Sequence, residues 1–432
     1  MAAPLYMPCI KCGLCLSVCP TYQLTQEELE SPRGRVQLIA AVDRGVVPLD
    51  APEVDQTLFD CLDCRACEVA CPSGVPIGEL IETGRAQVTA QQAEHGQLSA
   101  GSRLVRFVLR HLFPYPQRLE RTARALRWMQ RLGLIRFADK VGLLRLFPAG
   151  WAEMARALPQ IPSKSGRSQL VLPDDSKTSL PTSEAIKGTA ALFLGCILDV
   201  IFPQANLSSA HVLAHNGWNV CVPADQRCCG ALAIHAGDRE AARALARRNI
   251  DAFLASGADT IVTDAGGCGA ALLEYPQLLA DDPAYAQKAQ DFASRVQDIA
   301  EVLVQNGFEK PAAALPMRVT YQESCHLHNV MHVISAPRQL LDSIDGLEIR
   351  EMPDAARCCG SAGIYNLTHP QLAEPLLARK MADVPSDVDA IVTGNPGCWL
   401  QLLHGVQAYG PSCAVTHTVC LLDAAYNREV RS

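Results

Sequence analysis

The sequence predicts a multidomain chain of mixed α+β and α/β class: an α-helical, cysteine-bound module at the amino end, a helical middle region, and a duplicated α/β unit at the carboxyl end. Three observations predict it. Four cysteines fall within residues 9–20, and four more recur at identical gaps within 61–72. From 103 to 156 the chain carries twelve Arg or Lys against three acids, with apolar residues at helical spacing. In 189–432 a cysteine pattern repeats at an offset of 130. The divisions are 1–90, a basic helical region 91–162, a linker 163–188, and two halves, 189–312 and 313–432. At 432 residues each domain can build its own apolar core, so cysteine is not needed as a staple.

The first module follows from its spacing. CIKCGLCLSVCP and CLDCRACEVACP both read C-x2-C-x2-C-x3-C-P, the bacterial ferredoxin run. Three closely spaced thiolates can reach three corner irons of a cubane from one winding of backbone, and the fourth iron needs a distant cysteine. In two-cluster proteins the fourth cysteine of each run serves the other cluster. The expected sets are therefore Cys9, Cys12, Cys15 and Cys71 for one [4Fe–4S] cluster, and Cys61, Cys64, Cys67 and Cys19 for a second. Structural zinc is the rival, although its usual signature is two separated C-x2-C knuckles. Between the runs, SPRGR at 31–35 leads into the apolar-periodic VQLIAAV at 36–42, which predicts a helical insert. Arg33 and Arg35 either form a solvated pair or offset cluster charge.

In the middle region, LVRFVLRHLF and RTARALRWMQRLGLIRF describe amphipathic helices. Either they pack on the cluster module with solvated basic faces, or they dock on an anionic membrane surface or an acidic partner. Residues 163–188, rich in Ser, Pro, Lys and Asp, lack periodicity and read as the linker.

In the last region Cys228-Cys229-Gly230 recurs as Cys358-Cys359-Gly360, and ADTIVTDAGGCG recurs as VDAIVTGNPGCW. Cys196 matches Cys325, and Cys268 matches Cys398. Each half alternates strand and helix, which argues for parallel sheets with ligands at the carboxyl ends of strands. All four of these cysteines fall at such ends, and the halves are expected to face each other about a pseudo-twofold axis with the cysteines inside. Each tetrad, Cys196, Cys228, Cys229 and Cys268 or Cys325, Cys358, Cys359 and Cys398, either holds a further [4Fe–4S] cluster or consists of structural or quinone-lining thiols.

Other candidates are weaker. His326, His328 and His332 follow Cys325 and either hydrogen-bond their own loop or take up protons at a quinone site. His211 and His215 share a helical face without a third ligand and read as structural. Cys221, Cys413 and Cys420 have no repeat partner and read as buried free thiols. Arg227 and Arg357 precede the paired cysteines, where a charge role near a cluster is plausible.

Composition sets outer bounds. Nineteen cysteines in tight runs, after a start without a basic segment and apolar stretch, point to a reducing, cytoplasmic setting. The most apolar run, 190–203, is short and broken by Asp199, so no spanning helix is expected, and contact with the inner membrane's cytoplasmic face would be peripheral. A net charge of −7 gives no general drive towards nucleic acid or anionic lipid, although the charge is unevenly distributed.

Two ferredoxin runs followed by two Cys-Cys-Gly repeats resemble the iron–sulfur subunits that accompany FAD-linked 2-hydroxyacid and glycerol-3-phosphate dehydrogenases. CIKCGLCLSVCPTYQL, ESPRGR, CLDCRACEVACPSGV, RCCGALAIHAG, RRNIDAF, AGGCGA, LEYPQLL and RCCGSAGIYNLTHPQLA narrow this to the glycolate oxidase (glycolate dehydrogenase) iron–sulfur subunit family. The resemblance implies an oxidoreductase complex in which FAD-binding subunits oxidise glycolate to glyoxylate and this chain passes electrons towards quinone. Neither GALAIHAG nor GSAGIY is a dinucleotide fingerprint, so no FAD or NAD is expected on this chain. Alternatives are the corresponding subunit of anaerobic glycerol-3-phosphate or lactate dehydrogenase, or a disulfide reductase using the paired cysteines. Heterodisulfide reductase repeats are similar but end in C-x2-C, where this chain has Ala265 and Asn395 as first positions, which weighs against their unusual clusters.

Overall fold

A computed structural model describes residues 4–146, 155–156, 158–170 and 186–427. The amino-terminal module is helical: α1 (Pro20–Thr25), α2 (Pro32–Asp43), α3 (Pro52–Phe59), α4 (Ala66–Val69) and α5 (Ile77–Glu94). Proline opens α1, α2 and α3, where its missing N–H costs nothing and its fixed φ suits a first turn. Ser31 caps α2 by accepting from the Gly34 amide at 2.9 Å. The expected insert helix at 36–42 is the body of α2. A small core of Val36, Val54, Leu58, Leu80, Ile81 and Val88 holds the helices together.

The middle region contributes α6 (Ala100–His111), α7 (Pro116–Arg131) and α8 (Leu134–Lys140). Each is anchored at one or two points, with Leu109 and Leu119 buried and Arg110 bidentate on Asp238 at 2.6 and 2.8 Å. Residues 163–188 were expected as a linker. Its described start instead packs on the first half: a short helix, Arg167–Leu170, follows Gly166, whose amide donates to Asp199 O at 3.0 Å, and Leu170 is buried. Four residues hold this turn by tertiary bonds, which is why periodicity did not show it. Residues 171–185 lie outside the described residues.

The two halves carry four-stranded, all-parallel sheets. In the first, β1 (Gly188–Phe193), β2 (Trp218–Cys221), β3 (Thr260–Thr263) and β4 (Val296–Asp298) lie in the order β2-β1-β3-β4. In the second, β5 (Met317–Gln322), β6 (Leu347–Ile349), β7 (Ala390–Thr393) and β8 (Ala414–His417) repeat it as β6-β5-β7-β8. The central strands β3 and β7 are buried along their whole length, as strands of a parallel sheet covered on both faces are. Register is equivalent in the two halves, with Ala191 opposite Ile261 and Thr320 opposite Ile391.

The halves share one core. The final helix, Thr418–Asn427, belongs in sequence to the second half but packs on Pro203–His215 of the first. There His211 reaches Asp423 at 3.7 Å and the His215 ring packs at a tilt against Tyr426, 4.0 Å between centroids, so both histidines are structural. At the strand ends the Gly266 amide donates to Gly394 O and the Gly267 amide to Asn395 Oδ1, each at 3.0 Å. The halves therefore face each other across their strand carboxyl ends, as a duplicated fold predicts.

Candidate metal centre

The eight cysteines of the two ferredoxin runs gather around two recesses, and they gather crosswise. Cys9, Cys12, Cys15 and Cys71 line one. Cys19, Cys61, Cys64 and Cys67 line the other. Three closely spaced thiols of one run joined by the fourth cysteine of the other are the donor set of a [4Fe–4S] cubane, whereas structural zinc takes two separated C-x2-C knuckles.

The two recesses differ in setting. Cys12 is exposed in the outer one, whereas Cys19 and Cys64 are buried in the inner one. At the outer recess the first turn of α2 approaches, and the Arg33 amide donates to the Cys15 thiol, opposing the rise that burial imposes on it. The Arg33 side chain is on Glu28 at 2.7 Å. Arg35 is fully buried beside the inner recess: it donates to Thr21 Oγ1 at 3.0 Å and Thr57 O at 2.9 Å, and lies 3.9 Å from Cys19 Sγ. Arg33 lines the outer recess and Arg35 the inner one, each paired with a carboxylate, Glu28 and Glu30 respectively, and Arg35 is the one in direct reach of a run thiol.

The carboxyl-terminal tetrads also assemble. Cys196 and Cys325 lie just past β1 and β5, and Cys268 and Cys398 start the helices after β3 and β7. Cys196 Sγ is 3.5 Å from Cys228 Sγ, and Cys229 is hydrogen-bonded to Cys228 and Cys268. The second half repeats this, with Cys358 bonded to Cys325 and Cys359, and Cys359 to Cys398. Bonds from the Cys196 thiol first, then from Cys229 and the Gly230 amide, hold Cys228 well below the ordinary thiol range despite burial. Cys358 is depressed in the same way, by Cys325, Cys359 and the Gly360 amide. The glycine of each triplet is required: φ is +95° at Gly230 and +86° at Gly360, and a Cβ on Gly360 would sit 2.8 Å from Ala373 O.

One loop joins the module to both halves. From the second half, Tyr365 Oη donates to Asp60 O at 2.9 Å and Asn329 Nδ2 to Cys64 O at 2.7 Å. Cys64 packs in one buried cluster with Cys325 and Cys358, and its thiol is pushed well up by burial first and by the Cys358 charge second. From the first half, His235 approaches Asp63 at 3.4 Å and Glu274 takes Arg65 at 2.9 Å. His235 and Tyr365 are equivalents at the repeat offset of 130. The second tetrad thus abuts the inner recess, whereas the first is joined to it through an ion-pair hub.

That hub was missed in the sequence. Arg65, 7% exposed, is held by Asp63, Glu68, Glu82 and Glu274 at 2.9 to 3.1 Å. Burial raises Asp63, but Arg65 and His235 more than offset it and leave it well below the carboxylate range. Burial raises Glu274 to about 7 against the pull of Arg65. An arginine between the second and third cysteines of the run was the available signal, and the ligand spacing overshadowed it.

The remaining candidates fall outside the thiol groups. His326 is half-buried, its ring 3.5 Å from the Cys325 thiol, and desolvation depresses it to about 4. His328 pairs with Glu323, and His332 is exposed. Arg227 turns to Asp225 and Arg357 to Asp383. Cys221, Cys413 and Cys420 are partly buried in the apolar cores.

A helical two-recess cysteine module joined to a duplicated cysteine-rich α/β unit is the arrangement of an iron–sulfur protein. Residues 7–75 match the 4Fe-4S dicluster domain, residues 190–273 and 319–403 the cysteine-rich domain, and residues 101–158 the linker region of the glycolate oxidase iron-sulfur subunit. The chain is 41% identical to the "Probable glycolate oxidase iron-sulfur subunit" of Bacillus subtilis, over 96% of this chain and 93% of that one. It is 32% identical to the glycolate oxidase iron-sulfur subunit of Escherichia coli, over 98% and 94%. It belongs to the glycolate oxidase iron–sulfur subunit family. A lactate utilization protein of Shouchella clausii is 29% identical, over 54% of this chain and 98% of that one. A solved hypothetical protein from Helicobacter pylori shares the fold at a TM-score of 0.54 and 10% identity, covering 93% of this chain and 69% of that one.

Proposed function

We propose that this chain is the electron-transfer subunit of a flavin-dependent glycolate dehydrogenase, receiving electrons from FAD-bearing partner subunits and passing them towards quinone. The observation that carries the reading is the crosswise lining of the two recesses, which puts Cys71 with the first run and Cys19 with the second. Two [4Fe–4S] groups held there would supply one-electron steps between a two-electron donor and a two-electron acceptor. The protein's part is to hold the thiolates, exclude water from the inner site and balance charge through Arg35. Met7, Ile10 and Leu14, all more than half exposed around the outer recess, offer the partner an apolar rim where Cys12 is accessible.

The second tetrad extends this line, because its thiols touch Cys64; the first has no such contact among the described residues. Disulfide reduction is disfavoured by Asn395, which donates to Cys398 Sγ at 3.5 Å from the position where a further cysteine would be needed. Co-purification of the tagged chain from its native host, with iron, acid-labile sulfide and 2-hydroxyacid assays on the complex, tests the proposal. Absence of sulfide, or a flavoprotein partner turning over lactate or glycerol 3-phosphate but not glycolate, would overturn it.

A further inference from the structure

The middle region carries a second exposed apolar surface, and its chemistry differs from the rim around Cys12. Leu104 and Phe107 stand on α6, Trp128 and Met129 on α7, Leu132 just after it, and Phe137 on α8. Phe107, Trp128 and Phe137 are 61%, 65% and 64% exposed. The spacing makes them stripes: 104 and 107, then 128, 129 and 132, then 134 and 137, each the i, i+3, i+4 pattern of one helical face. The opposite faces are where Leu109 and Leu119 are buried. α6 and α7 are therefore committed to the fold on one side, and all three helices leave bulky apolar side chains in water.

Arginines border the stripes. Arg103, Arg121, Arg124, Arg131 and Arg136 are exposed, and no described ion pair ties any of them to a carboxylate. The two acids of the same three helices are engaged elsewhere, Asp139 with Arg156 at 2.9 Å and Glu120 with Ser165 at 3.3 Å. The surface thus presents uncompensated positive charge around Trp, Phe and Leu. No helix is long and apolar enough to cross a membrane among the described residues.

We propose that α6, α7 and α8 form an in-plane docking surface for an anionic lipid bilayer. Aromatic and aliphatic side chains enter the acyl boundary while arginines reach lipid phosphates, the arrangement by which basic amphipathic helices lie on membranes. Charge complementarity selects this occupant: exposed arginines without a described carboxylate partner, set among exposed Trp, Phe and Leu, match lipid phosphates lying over acyl chains. The inference rests on the proposed delivery of electrons towards quinone, since it brings the carrier to the phase where a lipid-soluble acceptor resides.

The test is co-sedimentation of the full, anaerobically purified chain with quinone-free vesicles of phosphatidylcholine alone or mixed with phosphatidylglycerol. The expected result is binding to the mixed vesicles only, weakened by salt, and roughly tenfold weaker for Trp128→Glu or Phe137→Glu because each removes one buried aromatic. Arg121→Glu combined with Arg124→Glu should lose the preference for anionic lipid. Since all four positions are exposed, far-UV circular dichroism should be unchanged. Equal binding to both vesicle types, no binding, or variants that bind as the parent would overturn the surface. Because the vesicles lack quinone, that failure leaves the electron-carrier reading standing, whereas a chain without acid-labile sulfide would refute the reading and leave the binding result intact.

Discussion

Replacing Arg65 by Met should separate the cysteine module from the first half of the duplicated unit. The guanidinium is almost fully buried among four carboxylates, those of Asp63, Glu68, Glu82 and Glu274. Removing the cation strands buried negative charge, and breaking such a pair costs about 3–5 kcal/mol. At least part of that falls on the contact between the module and Glu274, so urea unfolding should lose it and limited proteolysis between module and halves should speed up. The sign with pH is fixed. Glu274 is already raised to about 7 with the cation present, and Glu82 is raised too, chiefly by burial; without the cation both rise further. Protonation then relieves the repulsion, so the gap between variant and parent should narrow as pH falls from 8 to 5. Gly78→Ala offers an independent route to the same defect, because its Cβ would lie 1.8 Å from Arg65 Cζ and push the guanidinium out of the hub. An R65M chain as stable as the parent at pH 8, or a gap that widens on acidification, would refute the reasoning.

Three further outcomes follow from the geometry. Cys71→Ser should disturb the electron paramagnetic resonance signal belonging to the first run and Cys19→Ser that of the second; the reverse would show that the fourth cysteines are not exchanged. Gly360→Ala should destabilise by about 2–4 kcal/mol, combining a left-handed backbone penalty with overpacking against Ala373 O, while Gly230→Ala, with Ala242 Cα at 3.4 Å, should show mainly the backbone part in calorimetry. Asp264 and Asp298 are fully buried and raised to about 7 by that burial; their stabilising contribution is complete below the unfolded pKa near 4 and lost as pH rises through 7. Asp298→Asn should therefore flatten the fall in melting temperature between pH 5 and 8, and an unchanged slope would argue against the assignment.

What the sequence made legible was ligand chemistry and periodicity. The eight run cysteines, the two tetrads, the insert helix and the alternation of strand and helix are local or repeat at a fixed offset, so spacing alone reveals them. The ion-pair hub at Arg65 left only that arginine as a signal: Asp63 and Glu68 are its sequence neighbours, but Glu82 comes from α5 and Glu274 reaches it only when the module docks on the first half, which spacing does not record. The exchange of the helix Thr418–Asn427 into the other half has no periodic signal either, since an amphipathic helix records that it packs but not on what. His235 and Tyr365 sit at matching positions and grip the same loop, yet one uses an imidazole and the other a phenol, so comparing residues gave no match.

That shared grip constrains the order of assembly in the cell. Tyr365 and Asn329 bond the backbone of the loop that supplies Cys61 and Cys64, and they lie 305 and 265 positions further along the chain than the carbonyls they hold. The loop carrying the second cysteine run is therefore braced only once the last-synthesised part of the polypeptide has folded against it.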